Sequence, residues 1–315
     1  MDFEITPVLV DQIQTGDHTF KITTNTETTE LVRSISAVGL LQPPVLMKTG
    51  RDFTVVCGFR RIDACENLHM ARIPARILQS NISKITCAQI AVSDNASQRA
   101  LNIVEQSRAY ALIRKFADRS TAWLKIAEST GLAGSQSAMD RIIPVAGMPG
   151  PLQDAILEGS IALPIALQIS HLKHDDAKAL CCFFRQVTTG LNIQRELLEL
   201  ISDISRRDDI PIARLIAQAD TIEIIGNTDF PAPQKAQHLR TMLKAKRYPE
   251  LSKAEASYNQ KVKTLQLNPR IQIHPPRFFE GPSYRLSLTV DSRRQLKSLQ
   301  SDLEKLVRHP SLLPE

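Results

Sequence analysis

The stretch Val55–Arg61 combines the residue types with which proteins hold a phosphate chain. An apolar, β-branched run ends at Gly58, and two adjacent arginines, Arg60 and Arg61, open a segment with helical spacing. Guanidinium groups form paired hydrogen bonds with phosphate oxygens, and a glycine before a helix lets the backbone approach an anion closely. The pattern therefore predicts a strand, a tight turn and a helix N-terminus that binds phosphates.

Two other segments carry polar groups that suit the same ligand. Asp94 and Asn95 offer the hard oxygen ligands that Mg²⁺ prefers when it bridges phosphates, and Gln98 follows one helical turn later. Gln42 lies in the loop after Leu40–Leu41, a pair that we expect in the core. These residues are ordinary surface arginines and helix-end polar groups when each is taken alone, so the prediction depends on their joint occurrence.

The segments 34–45, 55–61 and 94–102, followed by Glu105, resemble in their order and spacing the ParB-type partition family. The resemblance extends to about Leu215 and fades in the last third of the chain. It implies a CTP pocket with bound Mg²⁺, the ion being held by Asp94 and Asn95. The residues expected to bind the nucleotide are Gln42, Gly58, Arg60, Arg61, Asp94, Asn95 and Gln98.

The chain departs from the pattern of this family at three positions in the pocket. Phe59 stands where the family has a glutamate before the two arginines, and Asp94 replaces a longer glutamate. Gln98 holds the place of an arginine, which is displaced to Arg99. These changes leave nucleotide binding as the expectation and allow at most weak CTP hydrolysis.

Two enzyme activities, that of sulfiredoxin and that of a nuclease, are alternatives to this interpretation. The fold also resembles that of sulfiredoxin, which needs a cysteine nucleophile in the turn, but Phe59 occupies that place and Cys57 precedes the glycine. A nuclease would need a second carboxylate cluster for a two-metal site, and the sequence offers none. We therefore expect neither activity.

A helix-turn-helix pattern follows in residues 121–143. Ala127 is small enough for close helix packing, and Gly131, four residues later, suits the strained turn. The second helix of such a motif reads base edges from the major groove. Gln136 suits adenine and Arg141 suits guanine or phosphate, while a purely structural hairpin is the alternative. The full set of expected DNA-binding residues is Ser135, Gln136, Ser137, Asp140 and Arg141.

The composition of the 315-residue chain predicts a cytoplasmic protein without a membrane partner, and the family resemblance implies that it is associated with the nucleoid. Hydrophobic residues make up 43% and the net charge is +6, which permits nucleic-acid binding without proving it. Aromatic residues, at 5%, are too sparse for a base-stacking RNA reader. The five cysteines form no Cys-x-x-Cys pair and are expected to be reduced and buried. The acidic start lacks the apolar region of a secretory signal.

The predicted fold class is α+β in three parts. Residues 1–100 form a small mixed α/β, ParB/sulfiredoxin-like domain, and residues 101–225 form an all-α DNA-binding domain. Residues 226–262 form a linker and a basic helix, which either binds DNA nonspecifically or is a solvated surface. Residues 263–315 form a ββα unit, with a strand at 284–290 and a helix at 292–308, that is too small to bury its apolar surface alone and is expected to dimerise.

The sequence therefore predicts a dimeric, site-specific protein that binds double-stranded DNA and acts as a CTP-dependent clamp in chromosome or plasmid partition. A ParA-type ATPase is the partner that the resemblance implies. The alternative is a nucleotide-independent transcription regulator or adaptor, which Phe59 and the altered third block favour.

Overall fold

The structure, a computed structural model, describes residues 4–79, 81–117, 122–132, 136–281, 283–292, 299–300, 303–304 and 306. The chain divides into two compact units. One comprises Met1–Gly159 and Ala166–His171, and the other comprises Ser160–Ile165 and Leu172–Glu315. The architecture is mixed α/β and mostly helical, so the coarse fold class is confirmed.

A five-stranded mixed sheet forms the frame of the first unit. Its strands are β1 (Glu4–Leu9), β2 (Ile13–Gln14), β3 (Val45–Thr49), β4 (Asp52–Cys57) and β5 (Arg72–Leu78). The order across the sheet is β1-β5-β3-β4-β2. The β1–β5 and β3–β4 pairs are antiparallel, whereas β3–β5 and β2–β4 are parallel. The three strands predicted around residues 45, 55 and 75 are present, while β1 and β2 were not predicted.

Eight helices accompany the sheet in the described residues up to 171. They are α1 (Thr29–Val38), α2 (Phe59–Asn67), α3 (Lys84–Gln98), α4 (Ile103–Phe116), α5 (Ala122–Ser129), α6 (Gln136–Ile142), α7 (Gly150–Leu157) and α8 (Leu163–Ile169). Residues of α8 are divided between the two units.

Two hydrophobic cores cover the two faces of the sheet. Consecutive strand residues alternate between them: Leu46 and Val55 pack with α1 and α2, whereas Val45 and Val56 pack with α3 and α4. Because side chains alternate along a strand, the apolar run in β4 is buried on both sides. The sheet therefore holds the start of α2 and the end of α3 in fixed places.

The prediction that Leu40 and Leu41 both lie in the core is wrong for one of the two. Leu40 packs against the core, but Leu41 is 77% exposed. The C-cap Gly39, with φ of 80° and ψ of 179°, ends α1 and leads into the loop that carries Leu41. The exposed Leu41 therefore contributes little to the core.

The second unit contains six further helices and a two-stranded sheet among its described residues. The helices are α9 (His174–Gln186), α10 (Leu191–Asp208), α11 (Ile212–Ile216), α12 (Ala219–Gly226), α13 (Ala232–Arg247) and α14 (Pro249–Leu265). The strands β6 (Ile271–His274) and β7 (Arg285–Leu288) pair in antiparallel fashion. The predicted helix at 292–308 falls mostly outside the described residues.

The helix α14, which was not predicted, packs beside the β6–β7 hairpin. Leu265 and Ile271 share a small core with Leu299 and Leu306, and Tyr258 donates a hydrogen bond to the carbonyl of Ile273 at 2.7 Å. The helix α14 thus buries apolar surface of the hairpin, in addition to the two strands and one helix that the sequence predicted.

A matched pair of leucine truncations tests the assignment of the core. Leu46→Ala removes a side chain with no exposed surface and should destabilise the protein by about 2–5 kcal/mol, while Leu41→Ala should change stability by less than about 0.5 kcal/mol. Urea unfolding of both variants measures the difference. Equal losses would contradict the described packing.

Candidate functional site

A cleft of about 160 Å³ lies where the start of α2 meets the end of α3. Five separate segments supply its walls, and all seven residues predicted to bind nucleotide lie among them. The lining residues are Ile22, Thr23, Leu31, Gln42, Gly58, Phe59, Arg60, Arg61, Asp94, Asn95, Gln98 and Arg99. The fold therefore brings three distant sequence blocks to one place.

Gly58 forms the turn between β4 and α2 in a left-handed conformation, with φ of 93° and ψ of 23°. A Cβ built on Gly58 would lie 2.9 Å from the Cβ and 3.0 Å from the Cα of Pro44, and 3.3 Å from the Cζ of Arg61. A glycine is required here by backbone conformation and by the close approach of Pro44. The sequence suggested glycine because the backbone must approach an anion closely, and the contact with Pro44 is a second reason.

Arg61 is anchored inside the cleft by two neighbouring segments. Its Nη1 donates to the carbonyl of Gln42 at 3.0 Å, and its Nη2 pairs with Asp94 Oδ2 at 3.2 Å. The Arg61 side chain is only 16% exposed. The block after α1, the turn and the end of α3 are therefore joined through this one guanidinium group.

Arg60 is held by a neutral partner instead of a carboxylate. Its Nε and Nη2 both donate to the backbone carbonyl of Glu27, at 2.9 and 2.5 Å. The positive charge of Arg60 is therefore not balanced by this contact. The N-terminus of α2, at which Arg60 lies, adds the partial positive charge of the helix dipole.

Asp94 and Asn95 leave oxygen atoms for a cation in the cleft. The Nδ2 of Asn95 donates to the carbonyl of Ala91 at 2.8 Å, which leaves its Oδ1 as an acceptor. Among the described residues there is no group of three His, Cys, Asp or Glu side chains that could hold a metal ion. One carboxylate and one amide oxygen suit Mg²⁺ that also binds phosphates and water, and do not suit a closed protein site.

The carboxylate of Glu105, which has no exposed surface, lies at the start of α4. Arg99 donates to both of its oxygens at 2.6 Å, and the N–H groups of Thr24 and Asn102 donate at 2.9 and 3.2 Å. Asn102 and Glu105 also form a capping box for α4. The network joins the loop at residue 24 to the junction between α3 and α4.

The environment of Glu105 lowers the pKa of its carboxyl group from 4.5 to about 2. Burial alone raises this pKa, but the hydrogen bonds from Arg99, Thr24 and Asn102 and the charge of Arg99 outweigh it. Because the pKa is lowered in the folded state, the stabilisation is complete above about pH 4.5 and is lost as the pH falls toward 2.

Sequence reasoning did not select two of the polar residues in the cleft, Thr23 and Arg99. Arg99 is the displaced arginine of the third block, and its pairing with Glu105 is a contact that no sequence pattern indicates. Thr23 lies in a segment without secondary structure, where no periodic pattern could mark it.

The thiol of Cys57 is inert in this structure. It is 2% exposed, and burial together with the nearby charge of Asp94 raises its pKa to about 12. A thiol with this pKa is not a thiolate at neutral pH. Cys182, in contrast, is exposed, so the expectation that all five cysteines are buried is wrong.

The predicted nucleic-acid residues lie around α5 and α6. Ala127 has no exposed surface and Gly131 has φ of 85°, as the predicted turn requires. Gln136, Ser137, Asp140 and Arg141 are all exposed on α6. Ser135 lies outside the described residues.

The exposed side chains of α6 interact with one another. The Nε2 of Gln136 donates to both oxygens of Asp140 at 3.0 Å, and the Nε of Arg141 donates to the carbonyl of Ser137 at 3.3 Å. The Oε1 of Gln136 and the remaining lone pairs of the Asp140 oxygens can still accept hydrogen bonds, while Arg141 retains donor groups on its Nη atoms.

Basic residues of α13 form ion pairs with acidic residues of α10, whereas the sequence predicted contact with DNA or with solvent. Arg240 and Lys244 each pair with Glu196 of α10 at 2.8 Å, and Arg247 pairs with Asp203 at 3.3 Å. These ion pairs hold α13 on α10 and reduce the positive charge that it can offer to DNA.

Residues 3–96 match the family model described as the ParB N-terminal domain. This N-terminal segment is therefore of the ParB N-terminal domain type. A probable plasmid-partitioning protein ParB from Thermus thermophilus is 23% identical over 211 residues, which cover 58% of this chain and 69% of that protein. A nucleoid occlusion protein from Bacillus velezensis is 25% identical over 201 residues, which cover 63% and 69%.

Two solved ParB structures from Caulobacter crescentus are also similar to this chain. One, complexed to the centromeric parS site, is 18% identical with a TM-score of 0.33 and covers 60% of this chain and 96% of that chain. The other, complexed with CTP-γ-S, is 21% identical with a TM-score of 0.27 and covers 58% and 99%.

No helix in the described part of the chain is both long and apolar enough to cross a membrane.

A glycine pair tests the turn beneath the cleft. Gly58→Ala combines left-handed backbone strain with a clash against Pro44, whereas Gly50, at φ of 66°, has no atom within 4 Å of a built Cβ. We expect Gly50→Ala to cost about 1–2 kcal/mol and Gly58→Ala to cost more. Urea unfolding gives both values. A smaller loss for Gly58→Ala would contradict the described turn.

Proposed function

We propose that this protein is a ParB-like, site-specific DNA-binding protein whose N-terminal cleft binds CTP with Mg²⁺. One observation carries the proposal: three sequence blocks, selected for phosphate chemistry, converge on a single cleft. The choice of CTP comes from the family resemblance. DNA association is in keeping with relatives named for plasmid partition and nucleoid occlusion.

The charges around the cleft favour a polyphosphate. Arg60, Arg61 and Arg99 face Asp94 and Glu105, which leaves one net positive charge among these five side chains. Arg60 and the N-terminus of α2 supply the positive charge that has no carboxylate partner. The triphosphate is therefore expected to contact Arg60 and the first turn of α2.

Asp94 and Asn95 are the residues that would hold Mg²⁺ on the phosphates. The ion would neutralise phosphate charge when bound. Asp94 is the carboxylate that lines the cleft among the described residues, and it is already paired with Arg61. This arrangement supports slow hydrolysis, since no further carboxylate there is free to activate a water molecule.

The clamp part of the proposal needs two chains. Leu286, Leu288 and Val290 on the C-terminal hairpin are each about 40% exposed, and this apolar strip suits a homodimer contact.

Nucleotide then brings two N-terminal domains together around DNA, and hydrolysis or release reopens them. Closure requires that the nucleotide bind the closed state more tightly. A ParA-type ATPase and a location on the nucleoid belong to this proposal through the family resemblance.

A second function is favoured by Phe59. Its side chain is 7% exposed and packs in the core beneath α2, with Lys21 placed 5.6 Å from the ring centre. Phe59 thus places an apolar ring where the family has a glutamate. A DNA-binding regulator without a nucleotide switch is the function that remains if the cleft binds no nucleotide.

Two arginine variants test the cleft. Arg60→Ala and Arg61→Ala each remove a charged hydrogen-bond donor, so the Kd for CTP with Mg²⁺ should rise about tenfold or more in calorimetry. Arg33→Ala removes an exposed arginine of α1 that does not line the cleft and should leave the Kd unchanged. Unchanged affinity in both cleft variants would reject the phosphate assignment.

Variants of α6 test the DNA reader. The acceptor oxygens of Gln136 and Asp140 suit a base that offers an amino group, either cytosine N4 or adenine N6, and the free donors of Arg141 suit guanine. Gln136→Ala and Arg141→Ala should each reduce discrimination at one base position by about 1–3 kcal/mol.

The DNA measurement selects preferred sites from genomic fragments and compares the recovered sequences between variants. Glu128→Gln, on the exposed surface of α5, changes charge without touching α6 and serves as the control. Recovery of the same preferred sequence by the wild type and both α6 variants would show that another surface reads the DNA.

A further inference from the structure

The carboxylate of Glu105 accepts more hydrogen bonds than a helix cap requires. Its oxygens receive six: two from Arg99, one from the backbone of Thr24, one from the backbone of Asn102, and one from each hydroxyl of Thr23 and Thr24. The capping box itself accounts only for the contact with Asn102. The other five bonds tie residues outside α4 to this carboxylate.

Two of these partners, Thr23 and Arg99, line the cleft. They belong to segments that are about 75 residues apart in sequence and form different walls. The Arg99 side chain is 45% exposed at its outer side, whereas Glu105 has no exposed surface. Glu105 therefore lies behind the cleft and reaches it through residues that form its surface.

We propose that Glu105 is a positioning residue of the nucleotide cleft, which fixes Arg99 and Thr23 in their places before the ligand arrives. The inference deepens the proposed function and rests on it. The bidentate contact fixes the plane of the Arg99 guanidinium, and the contacts with Thr23 and Thr24 fix the facing loop. A cleft whose walls are already ordered loses less conformational entropy when it binds its ligand.

The loop that contains Thr23 and Glu27 accepts hydrogen bonds from two further arginines. Arg108 Nη1 donates to the carbonyl of Thr23 at 3.1 Å, and Arg60 donates to the carbonyl of Glu27. Of these two arginines, Arg60 lines the cleft. When phosphates draw Arg60 away from Glu27, the Glu105 contacts remain to hold Thr23, so the wall keeps its place as the ligand enters.

The experiment measures the Kd for CTP with Mg²⁺ by calorimetry in the full chain. Glu105→Gln removes the charge that holds Arg99, and Arg99→Lys keeps the positive charge but loses the two-point geometry. We expect each variant to raise the Kd about tenfold and the double variant to add little beyond one of them. Glu66→Gln, the same change at an exposed glutamate of α2 outside the cleft, should leave the Kd unchanged.

Thermal unfolding of every variant separates positioning from stability. A folded Glu105→Gln protein with a lower Tm but an unchanged Kd would overturn the proposal, as would an unchanged Kd in Arg99→Lys. Losses that simply add in the double variant would also overturn it, because Glu105 would then not act through Arg99. If Glu105→Gln does not fold, Arg99→Lys decides alone. A wild-type protein that binds no nucleotide would instead reject the proposed function itself.

Discussion

A carboxylate without exposed surface must be paired by its own protein, and this constraint at Glu105 organises the cleft. Burial of an unpaired charge is so costly that a folded chain supplies partners or neutralises the group. Here the partners come from the loop at residues 23–24, from Arg99 and from the first turn of α4. Satisfying one buried charge thus determines where two walls of the cleft lie.

The remaining walls follow from the turn at Gly58. Its left-handed backbone and its contact with Pro44 place the first turn of α2 against the loop after α1. Arg61 then joins that loop to Asp94 at the end of α3. The cleft is consequently preformed, with its arginines held by carbonyls and carboxylates that a phosphate chain and a cation would compete with.

The sequence predicted the residues that line the cleft better than the residues that hold them in place. Gly58, Arg60, Arg61 and Asp94 could be selected because their residue types and spacing mark a phosphate site. The role of Glu105 could not be selected, since its partners at residues 23 and 99 approach it only in the folded chain. Leu41 was misjudged because a pair of leucines carries no sign of which one faces solvent, and α14 was missed because its apolar positions are few.

Selective nucleotide binding is the central claim, and one titration tests it most directly. The 315-residue protein is titrated by calorimetry with CTP, UTP, ATP and GTP in the presence of Mg²⁺, with and without genomic DNA fragments. We expect saturable binding of CTP and little or no binding of UTP, ATP or GTP. A folded protein that binds DNA but none of the four nucleotides would contradict the account and leave the regulator without a nucleotide switch.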